Sequence, residues 1–537
     1  MKARLLYQDQ DMDLKSPLPW NAEALVKDLE LDTLFHAMAR SDDFVREVTR
    51  RVVLSGAEND VETIRYRRGV LRDCLNHPGV VRDLYAVAAE AAEHEKKIFF
   101  GNTLMRYPDW VLRRSIDLSE MFLVTIKKLR KIVELHADKF SSEGWTAFFA
   151  TLQEELTDEY LVRAHDHVKQ LKFRSGMLLG AGLGKGNMGT RYALHIPPRT
   201  SRGKWEWLKS FVPEWLKRLL PQRPPVLGFS LHPRDESGAR ALRELENRGI
   251  AGVANTLAQS TDNIRGFFDK LRSELAFYVG CVNLHEQLSR KGEPICLPLP
   301  VAVDKRRLSF RGLYDVCLAL SVDRRVVGNT ANADEQNVVI VTGANQGGKS
   351  TFLRSVGLAQ LMMQCGMFVA AESFRSSVYG GIFTHFKREE DAAMKSGKLD
   401  EEIGRMSAIV DHLTSNSMVL FNEPFASTNE REGSEIARQI LLSLSDLGVK
   451  VICVTHLYEL ARGLHERNTG NVLFLRADRH ADGTRTFRIV EGEPLETSFG
   501  EDLYESIFGA GSDQCATTDP VVHASAPKAV TLQRGGD

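Results

Sequence analysis

The sequence predicts two halves of different class: an all-α region carrying a small β-containing insertion, then an α/β region built on a mostly parallel sheet. Three observations lead there. From about residue 21 to 291, apolar residues recur at three- and four-residue steps. From about Val301, short β-rich runs alternate with helical stretches. At the first strand-to-helix junction of that second half lies a glycine-rich loop ending in Gly-Lys-Ser. The expected divisions are residues 1–115, 116–291 (interrupted at about 176–233), 292–510 and a disordered tail at 511–537.

In the first half, residues 22–40 and 80–100 are rich in Ala, Leu and Glu, and long helical patterns follow at about 116–140 and 145–174. Ser141-Ser142-Glu143-Gly144 offers a break and a fresh N-cap. A later helix is clearest. Asp262 is its expected cap, and Ile264, Phe267, Phe268, Leu271, Leu275, Tyr278, Val279 and Val282 form one apolar stripe. Run to Arg290, it spans roughly 43 Å at ~1.5 Å per residue. A packed bundle and a rod transmitting motion share this pattern, so periodicity leaves both open. His165-Asp166-His167, in a helical pattern without partner ligands, is read as surface.

The interruption holds six glycines between Gly176 and Gly189, then Pro197-Pro198, Pro221 and Pro224-Pro225. Short strands are expected at 190–196 and 226–231. Between Lys185 and Arg223 nine Lys/Arg face Glu206 and Glu214, and Trp205, Trp207 and Trp215 are interleaved with them. Basic residues mixed with aromatics suit phosphate contact plus base stacking. An amphipathic helix on a partner or anionic membrane, or plain local packing, fits the same text. If this is the nucleic-acid surface, Lys204, Lys209, Lys217 and Arg218 are its expected contacts.

The second half offers strands at 337–341, 417–421, 450–454 and 471–475, with helical stretches between the first three. The first runs into Gly343-Ala344-Asn345-Gln346-Gly347-Gly348-Lys349-Ser350-Thr351, and a helix follows at 350–364. Glycines let backbone N–H groups turn toward phosphates, and the helix N-terminus adds partial positive charge. Lys349 has the reach for the β/γ-phosphates, and the Ser350 hydroxyl suits Mg²⁺. ATP and Mg²⁺ are the expected cofactors. Strand 417–421 ends in Asn422-Glu423, where a carboxylate can polarise an attacking water. Strand 450–454 ends in Thr455-His456, placing an imidazole where it can sense the γ-phosphate. Glu389-Glu390-Asp391 is read as solvated charge.

With 537 residues, 43% hydrophobic and 26% charged, the chain is long enough for several cores and is not disordered throughout. Seventy basic against 71 acidic residues give net charge −1, which excludes a uniformly basic binder and confines any nucleic-acid surface to a patch. Seven scattered cysteines without a CxxC pair point to a reducing cytoplasm. Met1 to Trp20 lacks a signal peptide's apolar run, and no uncharged apolar stretch reaches the ~20 residues of a membrane helix.

Together TGANQGGKSTFLRSVGLAQLMMQCGMFVAA, GGIFTHF, SMVLFNEPFASTNEREGSEIARQIL and VICVTHLYEL resemble the MutS family over about 300–505. The helical half resembles its core and lever region more weakly, with 176–233 in the place of a clamp. The resemblance implies an ABC-like P-loop ATPase (292–510) that forms a homodimer. Each nucleotide then lies between one subunit's phosphate loop and a signature segment of the other, with mismatched or branched DNA held far away. It implies Lys349, Glu423 and His456 as catalytic residues, and Ser350 plus, through water, Asn422 for the metal. Ser396-Gly397-Lys398 approximates the trans-acting signature. Departures are expected to matter. The family's Asp-Glu is Asn422-Glu423 here, and its Gly-Arg-Gly-Thr-Ser-Thr reads Phe425-Ala426-Ser427-Thr428-Asn429-Glu430. No Phe-x-Glu mismatch wedge occurs in the first 300 residues, and a short form without the N-terminal mismatch-reading domain is expected. No room is expected for a nuclease module after residue 510. A nucleotide-gated scaffold with little hydrolysis is the alternative.

Overall fold

The computed structural model describes residues 1–56, 60–98, 107–173, 176–187, 189–195, 230–388, 397–467, 470–480 and 484–495. Helices fill the first half: α1 (Ala22–Asp28), α2 (Leu31–Ala39), α3 (Asp43–Ser55), α4 (Val61–Asn76) and α5 (Pro78–Ile98). Asp42 and Asp60 cap α3 and α4 by accepting N–H bonds from the first turns. The pattern over 22–40 divides at Leu29-Glu30, where Glu30 takes a left-handed φ of 53°. Next come α6 (Pro108–His136), α7 (Glu143–Glu155) and α8 (Asp158–Leu171). The break at 141–144 is present, with Ser141 and Ser142 N–H both donated to Asp73. The pattern over 145–174 is two helices, because Thr157 caps a second one. His165, Asp166 and His167 are exposed.

The glycine-rich interruption holds an antiparallel pair, β1 (Leu178–Leu183) and β2 (Gly189–His195). The second strand sits within a residue of its expected position. The first was hidden in the sequence by its glycines, which disfavour strands. Of the strand expected at 226–231, Ser230 and Leu231 are irregular and the rest lies outside the described residues.

The helix expected from Asp262 is much longer. It runs unbroken as α9 (Glu236–Arg290), 55 residues and about 82 Å at ~1.5 Å per residue. Asp235 is the cap, accepting from Gly238 N–H, and Asp262 lies in mid-helix. The first half carries no continuous apolar stripe because much of it faces solvent. Its Ala-, Arg-, Glu- and Leu-rich text, free of proline, sustains helix by propensity. Where the stripe begins, the core begins: Phe267 to Leu288 pack against α2, α3, α5 and α6. Near the far end Gly249 lets the Leu179 side chain of β1 lie on the helix backbone.

The second half contains two sheets. Its elements are β3 (Leu299–Val301), β4 (Leu308–Leu313), α10 (Val316–Ser321), β5 (Asn329–Asn332), β6 (Val338–Thr342), α11 (Lys349–Gln364), β7 (Ser373–Ser377) and β8 (Gly381–Phe386). Then come α12 (Lys398–Val410), β9 (Ser417–Asn422), α13 (Glu430–Asp446), β10 (Lys450–Val454), α14 (Tyr458–Glu466), β11 (Val472–Arg479) and β12 (Arg485–Glu491). The larger sheet has the order β12-β11-β6-β10-β9-β8, parallel throughout except for β12. A smaller mixed sheet, β3-β7-β4-β5, was not expected; its strands have three to six residues and weak alternation.

Side-chain alternation sorts the large sheet's two faces. Val339, Val341, Leu420 and Ile452 join the core shared with α11 and the helical half. Val338, Ile340, Val419, Phe421, Val451 and Cys453 join a second core under α12, α13 and α14. Both faces are covered, as a parallel sheet requires. Among the described residues no helix is long and apolar enough to cross a membrane.

Candidate functional site

Three neighbouring strands, β6, β10 and β9, end side by side, with Val454 of β10 level with Val341 and with Asn422. Ligands of parallel sheets collect at such carboxyl ends. Backbone bonds lock the exits together: Glu423 N–H donates to Val454 O at 2.8 Å and Thr455 N–H to Val341 O at 3.1 Å. The loop Gly343–Gly348, Asn422-Glu423 and Thr455-His456 therefore form one constellation.

The loop needs its glycines for space as well as φ. Gly343 has φ 114°, and a Cβ there would lie 2.9 Å from Ala477 N; one on Gly347 would lie 2.9 Å from Ala344 O. Gly348, at φ 91°, starts α11 without a side-chain cap. The N–H groups of Lys349, Ser350 and Thr351 have no acceptor within the helix, which makes this end an anion site. Lys349 is 5% exposed and donates to Gly343 O at 2.7 Å and Ala344 O at 3.0 Å. Burial holds its pKa below the usual lysine value, with Glu423 opposing. Arg485 of β12 donates to the Gln346 side chain at 2.8 Å, pinning the loop from outside.

The Ser350 hydroxyl donates to Asn422 Oδ1 at 3.0 Å. Glu423 takes a left-handed φ of 53°. His456 Nδ1 stands 3.7 Å from its Oε2. The His456 ring, then Lys387 and Lys349, hold the Glu423 carboxyl below its usual range against the opposing effect of burial.

A cleft of about 380 Å³ opens over the loop, lined by Asn345 through Phe352, by Glu423, and by Leu318, Val322, Val326 and Phe487. Loop donors and an uncapped helix end suit the phosphates of ATP, and the apolar wall with Phe487 suits a base. Ser350 and Asn422 offer oxygens for Mg²⁺ beside a single carboxylate. Among the described residues no group of three His, Cys, Asp or Glu could hold a metal by itself. A magnesium ion here would lean on phosphate oxygens, as that ion ordinarily does.

Gly397 and Lys398 start α12 and do not line this cleft; Ser396 lies outside the described residues, as do Lys204, Lys209, Lys217 and Arg218. Sequence reasoning missed Phe487 and Arg485, which come from the last strand and carry no local motif. It also missed Arg354, one turn into α11, whose Nε donates to the fully buried Asp315 at 2.5 Å and which also pairs with Glu30.

The MutS2 N-terminal domain family matches residues 59–291, and the MutS domain V family matches 339–508. A DNA mismatch repair protein MutS of Streptococcus thermophilus is 27% identical over 277 residues, 51% of this chain and 32% of that protein. An Endonuclease MutS2 of Lacticaseibacillus casei is 28% identical over 258 residues, 47% of this chain and 32% of that protein. The chain thus spans about a third of the length of these curated relatives. One matched domain lies in the helical half from residue 59 on and the other spans most of the parallel sheet with its strand-end loops, and by both the chain belongs to the MutS family.

Proposed function

We propose that this chain is an ATPase that binds DNA, of mismatched or branched form, under nucleotide control in repair or recombination. It acts as a homodimer in the cytoplasm. The observation that carries the reading is the convergence of Lys349, Ser350, Asn422, Glu423 and His456 at three adjacent strand ends, with Lys349, Ser350 and Glu423 lining one cleft. Family membership and the names of the relatives support the coupling to DNA.

The chemistry follows from what these side chains can do. Lys349 exchanges two loop carbonyls for β/γ-phosphate oxygens, keeping its charge satisfied before and after binding. Uncapped N–H groups of α11 hold the same phosphates. The Ser350 hydroxyl, with Asn422 beside it, would hold a Mg²⁺ ion, which would supply neutralising charge to the phosphates. Glu423, kept ionised by His456 and the two lysines, orients the attacking water and draws on its proton. His456 adds a donor toward the terminal phosphate. Phe487 offers a face for the base. The homodimer would bring Ser396-Gly397-Lys398 of one subunit to the nucleotide of the other. Asn422, in place of a carboxylate, favours the nucleotide-gated scaffold as second reading.

Two variants test the assignment. Lys349→Ala is expected to lose ATP binding in equilibrium titration. Glu423→Gln is expected to bind ATP with near-parent affinity yet turn it over at least ~100-fold more slowly, the loss typical of a removed general base. Turnover at the parent rate in Glu423→Gln would remove Glu423 from the mechanism; binding without turnover in the parent would favour the scaffold.

A further inference from the structure

The segment after Glu423 is held in an unfavourable backbone shape. Glu423 has φ 53° and Phe425 φ 57°, either side of Pro424. Bulky residues avoid this region, which costs roughly 1–3 kcal/mol per residue and persists only where the surroundings over-determine it. A conformation that glycine adopts freely must here be imposed on a bulky residue.

The imposing group is Glu402. It sits on α12, one turn in from Gly397-Lys398, and is 5% exposed. Its Oε1 accepts the Phe425 N–H at 3.1 Å and its Oε2 accepts the Ser427 hydroxyl at 2.5 Å. Its backbone carbonyl accepts His385 Nε2–H at 3.1 Å, and the His385 ring lies 5.5 Å from that of Phe425. From the far side Gly433 lets the Phe425 carbonyl approach so closely that a Cβ would lie 2.4 Å from it. Phe425 is therefore held at its N–H and packed at its ring and its carbonyl, two residues from Glu423.

We propose that Glu402 is a positioning residue for hydrolysis, holding the Glu423 carboxylate at its working angle through Phe425 and Ser427. It thereby ties that carboxylate to the helix that begins at the signature-like segment. The proposal rests on the ATPase reading. A buried carboxylate is held in place by the donors it accepts, the Phe425 N–H from within the core and the Ser427 hydroxyl from its exposed edge. A movement of α12 therefore displaces the 425–427 segment with it.

The test uses the purified full chain, its Glu402→Ala, Ser427→Ala and double variants, and Glu423→Gln as reference. Ser427 is exposed, so Ser427→Ala keeps the test valid if Glu402→Ala folds poorly. Glu402→Ala, which removes both acceptor oxygens, is expected to lower kcat about tenfold or more, within the ~100-fold that a 1 Å misplacement brings. KM for ATP stays within about twofold, since the phosphate loop is untouched. Ser427→Ala lowers kcat less, and the double variant is no worse than Glu402→Ala because both remove one linkage. Hydrogen exchange at the Phe425 amide rises in Glu402→Ala. If Glu423→Gln is slow while Glu402→Ala and Ser427→Ala keep the parent kcat, the positioning role is overturned and the ATPase reading stands. If Glu423→Gln matches the parent, Glu423 drops out of the mechanism and the positioning role with it, whereas a parent that binds ATP without turnover overturns the ATPase reading itself. A loss in KM alone also overturns the proposal.

Discussion

Glu274 is a carboxylate with no solvent exposure in the apolar stripe of α9, and it is there to hold backbone. It accepts N–H bonds from Leu5, Leu6 and Met12. Burial outweighs those bonds and pushes its pKa up to about 7 from 4.5. The folded protein therefore binds the proton more tightly than the unfolded chain. The contribution is fully present below about pH 4.5 and declines as pH rises through about 7. At about 1.4 kcal/mol per tenfold change in proton affinity, the decline is on the order of 3 kcal/mol. Comparing urea midpoints of parent and Glu274→Gln from pH 4 to 8 should show the parent losing ground to the variant across that window. A constant difference would mean that Glu274 does not titrate there. Asn422 invites a different measurement. Its amide oxygen accepts from Ser350 but brings no negative charge to a metal. Asn422→Asp is expected to lower the Mg²⁺ concentration for half-maximal ATPase severalfold, and an unchanged titration would place the residue outside the metal's surroundings. Lys349, Glu423 and His456 were legible because each belongs to a short motif at a strand end. Glu274, Glu402 and Arg354 were not, since their partners lie 23 to 324 residues away and nothing local marks them.

Between elements, α11 is the hub. Gly357 brings it against Leu420 of the sheet and Leu29 of the α1–α2 corner, and Arg354 joins it to Asp315 and to Glu30 on that same corner. Asp315 is fully buried and also caps α10, accepting Leu318 N–H. Arg354→Ala would leave this carboxylate without its charged partner, a change that typically destabilises by about 3–5 kcal/mol. Thermal unfolding should show it as a marked fall in Tm, and Glu30→Gln, at a half-exposed position, as a small one. Equal effects would mean that Asp315 finds another partner. Elements were legible where burial imposed a period. β6, β9 and β10 are buried nearly throughout and fell within a residue of expectation. The solvent-facing half of α9 was lost because its helix depends on propensity, which leaves no stripe to count. The small second sheet was lost because its strands are short and pair across long stretches of sequence.

At the scale of the molecule, the order of all-helical text followed by parallel-sheet text was readable, because the hydrophobic period changes between them. How the two share a core was not. If the basic stretch is the DNA surface, changing Lys204, Lys209, Lys217 and Arg218 together to Ala should weaken binding to all duplex sequences alike. It should lower the log–log salt slope by about 0.9 for each phosphate no longer neutralised. An unaltered affinity and slope would move the DNA surface to other residues. The backbone ties between Leu5, Leu6 and Glu274 have a consequence for synthesis. The Leu5 N–H and its acceptor are 269 residues apart. At about 5–20 residues per second, the ribosome delivers that acceptor roughly 13 to 54 s after Leu5. Throughout that interval Leu5 and Leu6, both fully covered in the finished protein, lack the acceptor of their N–H groups. Until Glu274 emerges, the segment around Leu5 and Leu6 is a candidate for capture by a chaperone.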